Sequence, residues 1–243
     1  MFCHVNCQQN ASVKGCKTNG DMISSVDMTN DKHVNYFALQ KACEKPGCPI
    51  CDIVNERIDR YIDGMLFEHI SDRVFRAQYR AAGGFCNRHS EALLSYRDGL
   101  AVAILGQGEI SEKIEDFAKK KMRKYKMPCP ACAEQDRIES EFLRFMAESS
   151  KLDEADEKEM ISFVTKGGGL CVPHYAKLVQ LMGRKVPKWL SEFQETKFRT
   201  LLERTNRFID FSAWGKQKQF EALPPEDKVV WKELAASLRG SVK

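Results

Sequence analysis

The chain has 243 residues, an ordinary apolar fraction of 43% and a net charge of +4. A chain of this length can bury a core unaided, so its ten cysteines are not needed as the disulfide framework of a small secreted fold. Acidic and basic residues are interleaved, 34 against 38, which is too balanced for charge alone to argue for nucleic acid.

Residues 1–35 are polar and lack a periodic apolar stripe, so they read as a flexible, cysteine-containing tail. The opening Met1 to Cys7 carries neither a basic nor an apolar targeting region, and no later run approaches the roughly 18 apolar residues of a membrane span. The expectation is a reducing cytoplasm, where cysteines at short spacings mean metal or redox chemistry.

A repeat follows. Cys48-Pro49-Ile50-Cys51 precedes Gly83-Gly84-Phe85-Cys86-Asn87-Arg88-His89, and Cys129-Pro130-Ala131-Cys132 precedes Gly168-Gly169-Leu170-Cys171-Val172-Pro173-His174. The first cysteines are 81 positions apart and the second elements 85, which internal duplication explains most economically. The expected organisation is a first unit over 36–126, a second over 127–186, and a C-terminal helical segment over 187–243 packing on both.

Spacings of three and four predict helices throughout. Ile53, Ile58, Ile62, Met65 and Leu66 form one face of a helix starting near Cys51; Ile138, Phe142, Phe145 and Met146 form its counterpart. A helix with Ala92, Leu93, Tyr96, Leu100 and Ile104 follows the first Cys-x-x-His, and one with Ala176, Leu178, Val179 and Met182 follows the second. Pro187 suits the first turn of a long helix carrying Trp189, Leu190, Phe193, Phe198, Leu201, Leu202, Phe208 and Ile209, and Pro224-Pro225 opens a last one. No segment alternates with period two, so the predicted fold is mainly α: two duplicated helical units built around Cys₃His zinc sites, plus C-terminal helices.

Each unit offers three cysteines and one histidine: Cys48, Cys51, Cys86 and His89, then Cys129, Cys132, Cys171 and His174. Thiolate and imidazole suit zinc, and a closed four-ligand shell marks a structural site. Two zinc ions are therefore expected. Whether a shell closes within its unit or takes one half from each is left open by the spacing. An iron–sulfur reading starts from the C-x₄-C-x₂-C spacing of Cys43, Cys48 and Cys51 with Cys86 as a fourth ligand. It is the weaker one, because the second unit has Lys124 at the place of Cys43. Cys3, His4, Cys7 and Cys16 form a further, untidy cluster. His33 and His69 are isolated and read as an exposed side chain and a helix-surface or core histidine.

These elements, CPIC, GFCNRH, CPAC and GLCVPH, resemble an uncharacterised bacterial family of unknown function with two CPxC motifs, each followed by GFCxxH. Phe208 to Trp214 before a final helix is similar too, and the resemblance is expected over roughly 40 to 240. The chain departs from it at Leu170, where the family has Phe, and in its cysteine-bearing tail. The resemblance implies the architecture and the eight ligands and is silent on activity.

Lys119-Lys120-Lys121-Met122-Arg123-Lys124-Tyr125-Lys126 is the densest charge run, read as a solvated helix end and, alternatively, as a phosphate-binding stretch. The aromatic residues from Trp189 to Trp214 read as core. No catalytic constellation is recognisable. The favoured function is a zinc-stabilised protein-interaction or scaffold module with another protein as partner and no membrane. The competing readings are thiol-based redox or metal-transfer chemistry through Cys3, Cys7, Cys16 and Cys43, and nucleic-acid binding through 119–126.

Overall fold

The computed structural model describes residues 28–241, and the tail cluster of Cys3, His4, Cys7 and Cys16 lies outside them, as does the side chain of His33. Among the described residues there are twelve α-helices and no strand. In order they are α1 (Met28–Cys43), α2 (Pro49–Gly64), α3 (Arg73–Ala81), α4 (Asn87–Ser95), α5 (Gly99–Ala118), α6 (Pro130–Ala147), α7 (Glu154–Lys166), α8 (Val172–Met182), α9 (Lys188–Phe211), α10 (Gln217–Glu221), α11 (Pro225–Lys228) and α12 (Val230–Arg239).

The predicted stripe of α2 is the buried one. Ile53, Ile58 and Ile62 face the core, and Met65 and Leu66 continue it on a π-helical turn, Met65–His69. On α6, Ile138, Phe142, Leu143 and Met146 do the same. Burying each such side chain contributes about 1.5–3 kcal/mol, so these two helices, packed against each other, hold the centre. The pair runs antiparallel. Arg57 of α2 reaches Glu141 of α6 at 3.3 Å and lies over the Phe142 ring, while Tyr61, one turn further along α2, feels the charges of Glu134 and Cys129 at the start of α6. Helix α1 covers α2, α6 and α7, α8 packs on α6, and α12 bridges α8 and α9.

Two predicted helices differ. The single helix after His89 is two, because Tyr96 ends α4, Arg97 takes a positive φ of 58° and Asp98 caps α5 by accepting from the Ala101 N–H. A local Asp cap and a left-handed residue outcompete the apolar period. The aromatic C-terminal stretch is only partly core. Leu190 and Leu201 are buried and Trp189 and Phe193 border the core, but Leu202 and Ile209 are exposed and Trp214 is 96% exposed. Helix α9 packs on α10, α11 and α12 and fully buries only Leu190, Gln194 and Leu201, so its opposite face stays in water.

Lys119–Lys126 is irregular chain beyond the end of α5 rather than helix. Arg123 folds back onto Asp116, Glu112 and Glu115, and Lys119 pairs with Glu115.

Candidate metal centres

All four Cys-x-x-Cys and Cys-x-x-His motifs do the same local job. Cys48, Cys86, Cys129 and Cys171 are each the residue before the first turn of a helix (α2, α4, α6 and α8), and none caps it with its side chain. Proline in the first turn of α2, α6 and α8 fits because the first N–H groups have no intrahelical partner. The second cysteine or histidine of each motif, three residues on, comes from the first turn. Each thiol is therefore held at the positive end of a helix.

The structure gathers the eight predicted side chains into two clusters, and the pairing is crossed. Cys48 and Cys51 meet Cys171 and His174, while Cys86 and His89 meet Cys129 and Cys132. In the first cluster His174 Nδ1 lies 3.3 Å from Cys48 Sγ, 3.5 Å from Cys51 Sγ and 3.1 Å from Cys171 Sγ, and the Cys51 and Cys171 sulfurs are 3.8 Å apart. In the second, His89 Nδ1 is 3.3 Å from Cys86, 3.5 Å from Cys129 and 3.4 Å from Cys132, with Cys86 and Cys132 at 3.7 Å. A tetrahedral ion with sulfur at about 2.3 Å sets its ligand atoms about 3.5–3.8 Å apart, so both clusters have the dimensions of a single-ion site and could hold a metal.

The crossing follows from the central pair. Because α2 and α6 are antiparallel, their N-termini point to opposite ends, and α8, packed on α6, brings Cys171 and His174 to the N-terminus of α2. The Gly-rich approach makes this close. Gly168 lies so near Gly47 that a Cβ on it would come within 2.4 Å of the Gly47 carbonyl oxygen, and Gly83, Gly84 and Gly169 have φ near +80°. Buried Gln194 of α9 holds the Cys171 loop by both backbone groups of Leu170, accepting from its N–H at 3.0 Å and donating to its carbonyl at 2.7 Å.

The two clusters differ in their surroundings. In the first, Cys51, Cys171 and His174 are buried; in the second, all three cysteines are partly exposed. Chain closure shields the first, since the Ser241 N–H donates to Cys51 Sγ at 3.3 Å and Asn55 donates to the Ser241 carbonyl. Burial raises Cys48 well above the ordinary thiol range, while hydrogen bonds from Cys171 and Cys48 hold Cys51 far below it. Burial disfavours a charged His174, but hydrogen bonds to Cys171, Cys51 and Glu139 outweigh it and push His174 up to about 11. His89 is lowered, by burial first and then by Arg88. A bound cation would displace protons from such a set.

Glu139, the Ser241 N–H and Gln194 were not among the residues singled out from the sequence. Glu139 had a signal: it stands 81 positions after Ile58, an acidic residue where the first CPxC helix has a core isoleucine. Cys43 belongs to neither cluster and Cys86 lies in the other one from Cys48 and Cys51, so the plant-type iron–sulfur ligand set is not assembled. Cys43 is buried, which pushes its thiol up to about 12. His69 is exposed and stacks on Phe75.

Fold and site together define an all-helical protein with two Cys₃His clusters able to hold metal. A family of unknown function (DUF6062) matches residues 4–101. That span holds the first CPxC and the GFCNRH but stops short of the second pair, and it begins inside the tail that the resemblance was expected to leave out. An uncharacterized 23.9 kDa protein in the xynA 3′ region of Caldicellulosiruptor sp. (strain Rt8B.4) is 28% identical over 102 residues, 40% of this chain. The chain spans about half the length of that curated relative. No solved structure matches. No helix among the described residues is long and apolar enough to cross a membrane.

Proposed function

We propose that each cluster holds one structural zinc ion, that the two ions staple the halves of the chain together, and that the protein serves in the cytoplasm as a protein-interaction or scaffold module. The observation that carries this is the crossed, closed ligand set. Three thiolates and an imidazole complete a tetrahedron without a place for substrate, and each ion would tie together helices far apart in sequence. An open groove of about 430 Å³ between α8 and α9, lined by Val172, Tyr175, Ala176 and Phe198 with Gln194 and Glu195, supports a protein partner with an apolar anchor.

Elemental analysis of protein purified without oxygen should find two zinc per chain and no visible absorption; iron with sulfide would overturn the assignment. A photo-crosslinker placed at Phe198 in cells should trap a defined protein, and its failure to trap any would remove the interaction reading while leaving the zinc intact. Reactive spare thiols draw no support from Cys43, which is buried. Nucleic-acid binding is weakened by Arg123 and Lys119, whose charges are already matched by acidic groups of α5.

A further inference from the structure

Helix α5 has two apolar faces and uses one. Ala101 and Leu105 are buried, and the helix packs on α3 and α4. On another face Leu100, Ala103, Gln107, Ile110, Ile114 and Phe117 follow one another at alternating intervals of three and four, the a/d spacing of a helix-pairing seam. All six are exposed; Leu100 is 72%, Ile110 63%, Ile114 62% and Phe117 65% exposed. We propose that this seam pairs with the same seam of a second copy of this chain, antiparallel about a two-fold axis near Gln107 and Ile110.

Three observations favour a second copy in that orientation. Bulk is uneven along the seam: Leu100, Ile110, Ile114 and Phe117 are large, Ala103 is small, and beside the seam nothing would obstruct a Cβ at Gly99 or Gly106. An antiparallel two-fold lays Ile114 of each helix over Ala103 of the other and Phe117 over Leu100, a self-complementary contact. Charge is graded too. No ionisable residue occurs between Gly99 and Gly108, whereas Lys120 and Lys121 follow the C-terminus, beyond Lys119 and its Glu115 partner; a parallel pair would put both lysine pairs side by side, and the antiparallel pair separates them. The area suffices as well. The four large seam residues leave roughly 500 Å² of apolar surface in water per protomer, as much as the largest patch of a typical monomer. Covering it on both sides buries about 1,000 Å², the lower bound for a specific interface.

The test is the mass of the full, metal-loaded chain by light scattering and sedimentation from about 1 to 100 μM. The wild type should approach twice the 27.8 kDa of one chain, and Phe117→Glu, and separately Ile110→Arg, should shift the dissociation constant upward by at least tenfold with unchanged helical circular dichroism and zinc content. Two independent exposed positions guard against one variant failing to fold. A wild type that stays monomeric over this range overturns the proposal and leaves the seam to a different occupant. A dimer unaffected by both substitutions overturns it equally, because the contact would then lie elsewhere.

Discussion

Glu139 Oε1 lies 3.0 Å from His174 Nε2, on the far side of the ring from the three cysteines, whereas Nε2 of His89 is buried without a hydrogen-bond partner. One histidine is thus oriented by a carboxylate that also accepts from Lys177 at 2.7 Å. The position 81 residues before Glu139 is Ile58, buried in the core, so the other helix offers no carboxylate there. Such a carboxylate fixes the tautomer and raises the basicity of a ligating imidazole, with effects of about 10–100-fold on metal affinity.

With each cluster holding one zinc ion as proposed, Glu139→Gln should weaken one of them by that factor and leave the other unchanged. Competition with a chromogenic chelator resolves the two steps. Equal weakening of both, or of neither, would contradict the assignment of Glu139 to His174 alone.

His174→Ala should destabilise the chain more than His89→Ala. The first cluster joins residues 120–126 positions apart, the second cluster's elements 40–46. Closing the longer loop removes more unfolded-state freedom, by about 1 kcal/mol, on top of the several kcal/mol that losing a structural zinc ion of the proposed kind involves. Thermal melts and zinc content of both variants check the order.

Exposure sets the order of thiol chemistry. Under limiting alkylating reagent with a chelator present, the partly exposed Cys86 and Cys129 should be modified before the buried Cys171. Cys43, buried and with its thiol pushed up to about 12, should react only after unfolding. Peptide mass mapping over time reads the order directly, and early labelling of Cys43 would restore it as a candidate reactive thiol.

Gln194→Leu leaves the N–H and carbonyl of Leu170 unpaired beside Cys171 in a buried place. Each such group costs about 1–3 kcal/mol, so stability should fall by about 2–6 kcal/mol, with faster hydrogen exchange at Leu170. A change within about 0.5 kcal/mol in denaturant melts would show that solvent reaches this loop.

Asp116 supplies a pH dependence away from the clusters. Burial tends to raise its carboxyl, but the Arg123 N–H and guanidinium outweigh this and hold it below the ordinary value. A folded-state value below the unfolded one, about 3.9, stabilises the fold fully above that unfolded value and loses its effect as pH falls through the folded one. The melting-temperature gap between wild type and Asp116→Asn should hold from pH 8 to 5 and close below pH 4. A gap constant down to pH 3 would contradict it.

The eight cluster residues were legible because their chemistry is local. A Cys-Pro-x-Cys places two thiols within one helical start, a Cys-x-x-His does the same for a thiol and an imidazole, and the apolar stripes of α2 and α6 announce themselves through Ile53, Ile58, Ile138 and Phe142. Partners across the fold were not legible. That Cys48 meets His174 and not His89 depends on α2 lying antiparallel to α6 and on α8 docking beside them, and no spacing within either motif encodes an angle between helices. The same holds for α5, whose two apolar faces look alike in sequence. Packing on α3 and α4 buries Leu105 and leaves Ile114 in water, a choice made by what surrounds the helix rather than by anything within it.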